Sequence, residues 1–125
     1  MGLDIYFIKE KRRHPEISEE LAYFRKVNFL VNHFEIHGMD RNEPKFEITK
    51  EMCTELKDRC EIVLQKPDYA DTVLETTPGF FFGSTDYDKR YYKNVEEVLD
   101  ELKESILPAF EDLKDDERII FYISW

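Results

Sequence analysis

The residues of this chain best able to do chemistry fall in three short stretches. The first is Arg25-Lys26-Val27-Asn28. A guanidinium can grip a carboxylate or phosphate through two parallel hydrogen bonds. The Asn28 carboxamide, on an apolar helix face, needs polar partners of its own. The plainer reading is that Arg25 pairs with an internal carboxylate and Asn28 bonds a loop backbone. The second stretch is Gly79-Phe80-Phe81-Phe82-Gly83-Ser84-Thr85-Asp86-Tyr87-Asp88. Its backbone N–H groups, with Ser84 and Thr85, could cradle a phosphate near a helix start. The Gly-Lys-Ser/Thr ending of a P-loop is missing, however. Asp86 and Asp88 are hard metal ligands, yet two carboxylates are too few alone. The plainer reading is a core-filling Phe cluster closed by an Asx-type turn at Asp86. The third is His33 and His37, four apart at metal-ligand spacing. No HExxH pattern surrounds them, and histidine near a helix C-terminus is favoured by the dipole. No metal is expected there. With no Gly-x-Ser-x-Gly elbow and no cysteine signature, no catalytic residue and no cofactor is assigned.

These side chains must be positioned by regular elements. Leu3 to Ile8 (LDIYFI) reads as a strand, ended by the basic run Lys9 to Pro15, the only basic cluster visible in the sequence. Ser18 is a good N-cap, and Leu21, Phe24, Val27, Leu30, Val31 and Phe34 then recur at helix spacing. That pattern predicts one helix carrying Arg25, Lys26 and Asn28, stopped at Gly38. Met39 to Lys45 is a polar loop. Thr49 should cap a second helix lined by Met52, Cys53, Leu56, Cys60, Val63 and Leu64 and closed before Pro67. Gly79 to Asp88 fits a short strand or a tight buried loop. Asn94 and Glu97 have capping-box spacing for a third helix to about Lys114, interrupted at Pro108. Arg118 to Trp125 (RIIFYISW) reads as a closing strand. The two terminal strands most simply pair with each other.

Composition bounds the function. Residues 1–125 fit a single domain, and 42% hydrophobic with 14% aromatic content is enough for a core built around rings. The net charge is −10, from 28 acids against 18 bases, which repels phosphate backbones and argues against broad nucleic-acid binding. No apolar run approaches the length of a membrane span. Cys53 and Cys60 sit about two helical turns apart, roughly 10 Å, too far for a disulfide. Reduced buried thiols and a cytoplasmic location follow. Ten acids against two lysines lie between Asn94 and Glu117. Glu96, Asp100 and Glu104 repeat at four-residue spacing, where like charges repel. The plain reading is a solvated face. The functional one is a docking face for a basic protein partner.

Several motifs, in matching order, resemble a family of small phage- and prophage-encoded proteins to which no reaction is assigned. Met1-Gly2-Leu3-Asp4-Ile5-Tyr6 is similar to its MGLDMY start. Tyr23-Phe24-Arg25-Lys26-Val27-Asn28 resembles its Tyr-Trp-Arg-Lys-x-Asn signature, with Phe24 in place of Trp. The Gly79–Asp88 stretch resembles its Gly-Phe-Phe-Phe-Gly run followed by Tyr-Asp, and Tyr122-Ile123-Ser124-Trp125 its Tyr-x-Ser-Trp ending. The resemblance marks positions of interest without giving them roles.

The sequence therefore predicts an α+β fold: a small sheet pairing the N- and C-terminal strands, packed against three main helices, the third kinked at Pro108. The leading functional expectation is a non-enzymatic phage or mobile-element protein of the host cytoplasm. It would dock a protein partner, with inhibition of a host system as one outcome, through Glu96, Glu97, Asp100, Glu101, Glu104, Glu111 and Asp112. The alternative is a small-ligand or nucleotide binder using Arg25, Lys26, Asn28, Phe81, Ser84, Asp86 and Tyr87. Free sheet edges leave a dimer open.

Overall fold

The computed structural model describes residues 2–43 and 45–125. Met1, which opens the first resemblance motif, and Pro44 of the polar loop lie outside them. The two chain ends do pair. β1 (Asp4–Lys11) runs antiparallel to β4 (Glu117–Ser124) along its whole length, from Asp4 opposite Ser124 to Lys11 opposite Glu117. Two further strands extend the sheet to the order β2-β1-β4-β3, with β2 at Ser18–Arg25 and β3 at Lys45–Glu47. All pairs are antiparallel.

β2 corrects the first predicted helix, whose N-terminal half it replaces. Leu21, Phe24 and Val27 have helix spacing, but Ala22 and Phe24 are buried while Tyr23 and Arg25 point out. That is the two-residue period of a strand. The ladder offered by the free edge of β1 overrides the good helix propensity of Glu19, Glu20, Leu21 and Ala22. Only α1 (Phe29–Ile36) survives as helix, and Gly38 follows its end at φ +109°. Lys9 and Lys11 of the expected basic loop lie inside β1.

α2 (Lys50–Gln65) begins as predicted, with the Met52 N–H donating to Thr49 Oγ1. A 3₁₀ turn (Pro67–Tyr69) and the single turn α3 (Ala70–Val73) follow. α4 (Lys89–Glu101) starts five residues before the expected capping box. Its cap is Asp88, whose Oδ1 accepts from the Tyr91 N–H, so Asn94 and Glu97 lie inside the helix. The break expected at Pro108 takes the form of a π turn over Leu102–Ile106. α5 (Leu107–Glu111) then restarts with the proline in its first turn, where its missing N–H costs nothing.

The helices cover one face of the sheet. Phe7 of β1 stacks edge-on against Phe24, Phe34 and Phe121 at 5.3 to 6.1 Å between centroids. The opposite face carries Tyr6 between Tyr23 and Tyr122. On that side Glu10 is buried and held by Arg118 at 2.6 Å and Lys45 at 3.2 Å. No helix among the described residues is long and apolar enough to cross a membrane. Because Phe7 touches rings from three other elements, Phe7→Ala should cost about 3–5 kcal/mol in urea unfolding. Tyr6→Ala, on the open face, should cost distinctly less.

Candidate functional site

Arg25 ends β2 directly opposite Asp4 of β1. Asp4 Oδ1 accepts from Arg25 Nη1 at 2.9 Å and from the Tyr23 hydroxyl at 2.5 Å. The tyrosine hydrogen bond, with the guanidinium beside it, holds the Asp4 carboxyl below its usual range. The pair is not buried: about half of the Arg25 side chain faces solvent. The next residue, Lys26, is left-handed at φ +59°. Its N–H donates to the Leu3 carbonyl at 2.8 Å, which fixes the turn. Two glycines make room for this corner. A Cβ on Gly2 would lie 2.5 Å from Arg25 Nη2, and one on Gly83 would lie 3.1 Å from Lys26 Cβ.

Asn28 sits just before α1 and is 3% exposed. Its Nδ2 donates to the carbonyls of Phe82 (2.9 Å) and Ser84 (3.0 Å), and its Oδ1 accepts from the Thr77 N–H (3.0 Å). One carboxamide thus ties both arms of the 77–84 loop to the start of α1. The plainer readings of Arg25 and Asn28 both hold in this geometry: a carboxylate partner for one and a loop backbone for the other.

The Gly79–Asp88 stretch is a loop, and only one of its three phenylalanines is core. Phe82 is 1% exposed, edge-on to Trp125, with the Arg41 guanidinium over its ring. Phe80 is 86% exposed and Phe81 44%. The Phe81 carbonyl accepts from the Leu3 N–H. The expected Asx-type turn at Asp86 is instead a serine turn: the Asp86 N–H donates to Ser84 Oγ at 3.0 Å. Tyr87 directs its hydroxyl to Thr76, accepting from its N–H at 3.2 Å.

Between this loop, the β2–α1 corner and the start of α4 lies a cleft of about 240 Å³. Arg25, Lys26, Asn28, Ser84 and Asp86 line it, as does Arg90. A shallower groove of about 600 Å³ continues from it past Lys89 and Lys93. Phe81 and Tyr87, expected at the site, line neither. The fold therefore gathers Arg25, Lys26, Lys89, Arg90 and Lys93 around one opening. This is a second basic cluster that the linear sequence does not display. In the first, Lys9, Lys11 and Arg12 are each paired with an acid. In the second, Lys26, Lys89, Arg90 and Lys93 form no ion pair among the described residues. The only sequence signal for the latter three was the run Lys89-Arg90-Tyr91-Tyr92-Lys93, which the expected helix start at Asn94 left in a loop.

α4 has no acid in its first turn and no base in its last. Lys89, Arg90 and Lys93 crowd the positive end of the helix dipole. Each of these misplaced cations costs about 0.3–1 kcal/mol. Glu96, Glu97, Asp100 and Glu101 follow farther along, where the backbone continues helical into the π turn. Glu96, Glu97, Asp100 and Glu104 are exposed and Glu101 is half-buried. Among the described residues these five form no ion pair, whereas Glu111 meets Lys50. Asp112 is exposed.

Cys53 and Cys60 are buried on α2, and burial pushes both thiols up to about 12, which keeps them protonated and inert. His33 is buried and its Nε2 bonds the Met52 carbonyl at 3.0 Å, while His37 Nε2 meets Glu55 Oε2 at 2.5 Å. Burial pushes His33 below the usual histidine range.

Asn28→Ala would strand the buried Phe82 carbonyl and Thr77 N–H and the part-buried Ser84 carbonyl. Equilibrium denaturation should show a loss of about 2–4 kcal/mol, and proteolysis should cut first between residues 77 and 84. Comparison of the chain with protein-family models, curated proteins and solved structures finds no match in any of the three.

Proposed function

We propose that this protein is a binding protein for a small phosphate-bearing ligand, a nucleotide or sugar phosphate, held in the cleft between the β2–α1 corner and the start of α4. One observation carries the reading: a chain of net charge −10 gathers five cations around a cleft and the groove that adjoins it. Four of them lack an ion-pair partner among the described residues. These cations outnumber the carboxylates on the same walls, Asp86, Asp88 and Glu97, so an anion brought among them meets a net positive field. The cleft and its groove hold enough room for a small ligand. Asp86 at the rim can accept hydroxyl hydrogen bonds, which suits a sugar phosphate better than bare phosphate. The Asp88 carboxylate is already engaged in capping α4.

The test is calorimetric titration at low salt with AMP and ribose 5-phosphate, with adenosine as the uncharged control. The phosphorylated probes should bind and adenosine should not. Arg90→Gln and Lys26→Gly should each weaken AMP by tenfold or more. Lys26→Gly also relieves a left-handed backbone worth about 1–2 kcal/mol, so its melting temperature should hold or rise while binding falls. Equal affinity for AMP and adenosine, or no heat with either phosphate at millimolar concentration, removes this reading.

A second reading rests on a different observation. The acidic face of α4 and the following π turn is largely exposed and without ion-pair partners among the described residues. It suits docking of a basic protein segment. The motif resemblance supports a phage or mobile-element origin, and the two buried thiols support the host cytoplasm as the place of action. The triple variant Glu96→Gln, Asp100→Asn, Glu104→Gln should raise the melting temperature by relieving like-charge repulsion. It should also abolish salt-sensitive capture of a basic partner from host lysate. A partner captured equally by the variant counts against this face.

A further inference from the structure

The geometry points to a binding site for a first-row divalent cation of the zinc class, formed by His33 of α1, His37 at its C-cap and Glu55 of α2. The site is independent of the basic cleft.

Four-residue spacing puts His33 and His37 on one face of α1 and its C-cap, with ring centroids 4.9 Å apart. α2 lies against that face and presents Glu55. Its Oε2 is 2.5 Å from His37 Nε2 and 3.9 Å from His33 Nε2. One donor atom from each residue falls within 4.8 Å of the other two. In a tetrahedral zinc site with bonds near 2.0–2.2 Å, donors stand about 3.3–3.5 Å apart. Binding therefore requires the shorter contact to open and the longer one to close by side-chain rotation. The donor set is two imidazoles and one carboxylate. It selects zinc, cobalt, nickel or copper over magnesium or calcium, which want six or more oxygens. His37 and Glu55 are partly exposed while His33 is buried, so the ion enters from solvent and keeps at least one position for water.

Two features limit the affinity. His33 Nε2 is hydrogen-bonded to the Met52 carbonyl at 3.0 Å, and coordination through that atom surrenders the bond and moves the proton to Nδ1. Arg59 Nε lies 3.9 Å from Glu55 Oε2 and competes for it. The site should therefore bind in the micromolar range, weaker than a dedicated structural zinc site. Burial favours the neutral form of His33, the form that ligates.

The experiment uses the full chain dialysed against chelator and titrated with Zn²⁺ by calorimetry, with Co²⁺ followed by its visible absorption. One equivalent should bind, Co²⁺ should give d–d bands near 500–650 nm of tetrahedral or five-coordinate intensity, as a site with three protein ligands and water requires. Saturating Zn²⁺ should raise the melting temperature by several degrees, and Mg²⁺ should not. His37→Gln and Glu55→Gln should each weaken Zn²⁺ at least tenfold. His33→Gln, which keeps a donor for the Met52 carbonyl, should do the same without loss of fold by circular dichroism. Zn²⁺ affinity unchanged in His33→Gln or His37→Gln overturns the assignment, as does an unaltered melting temperature in the parent chain.

Discussion

The full-length pairing of β1 with β4 is the contact on which every other placement rests. It joins Asp4–Lys11 to Glu117–Ser124, so nearly the whole chain lies in the loop that it closes. Closing about a hundred residues costs only about 1 kcal/mol more than closing thirty. The cost is met by Phe7, Phe121, Ile5 and Ile123, all fully or almost fully buried on one face of the pair. Once β1 is held on one side by β4, its other edge is a template. β2 takes that edge, and its last residue is thereby set opposite Asp4. The corner that follows, the loop it faces and the start of α4 are then fixed in turn by backbone bonds to Leu3 and by the Asn28 carboxamide.

Charge is sorted by this arrangement rather than spread. Around the sheet most charged groups find opposite partners: Lys11 with Asp116, Arg12 with Glu47, Glu10 with Arg118, Arg25 with Asp4. Apart from the pair that holds buried Glu10, such exposed pairs contribute little each. Their effect is to cancel local fields and leave the uncancelled charge along α4. Cations stand at its first turns beside the cleft, against the helix dipole, and carboxylates farther along toward the π turn. A face of one sign steers partners of the other over a Debye length of about 8 Å at physiological salt. The small cleft and the extended acidic face therefore carry fields of opposite sign.

The legibility of the sequence divides along physical lines. The strand pair at the chain ends, the Thr49 cap and the interruption at Pro108 were readable because each is dictated by local chemistry: β-branched runs, a hydroxyl at a helix start, a missing N–H. Ser18–Arg25 was not. Leu21, Phe24 and Val27 satisfy helix spacing while Ala22 and Phe24 satisfy strand spacing, and only the neighbouring edge of β1 decides between them. The cleft was half readable. Arg25, Lys26, Asn28, Ser84 and Asp86 were named, and they do line it. Arg90 and Lys93 were missed because Asn94 and Glu97 imitate a capping box inside a helix that Asp88 already starts. Phe81 and Tyr87 were misjudged because sequence proximity to Gly83 does not say which way a ring turns. Phe82 alone goes inward, and the tight contact between Gly79 and its ring explains why a glycine stands there.

The departures from local preference are not scattered. Lys26, a residue with a side chain, holds a left-handed backbone at a cost of about 1–2 kcal/mol. Lys89, Arg90 and Lys93 oppose the α4 dipole at about 0.3–1 kcal/mol each. Gly2 and Gly83 surrender side chains so that Arg25 and Lys26 can sit where they do. Against a net stability of about 5–15 kcal/mol for a domain of this kind, these concessions together are substantial. Lys26, Gly83, Lys89, Arg90 and Lys93 line the cleft or the groove that adjoins it, and Gly2 lies against Arg25. A corner selected for stability alone would place glycine at position 26 and carboxylates at the start of α4. The corner found here instead concentrates positive charge at some expense to the fold, and strain kept at one place is the mark of a site that does something other than hold the fold together.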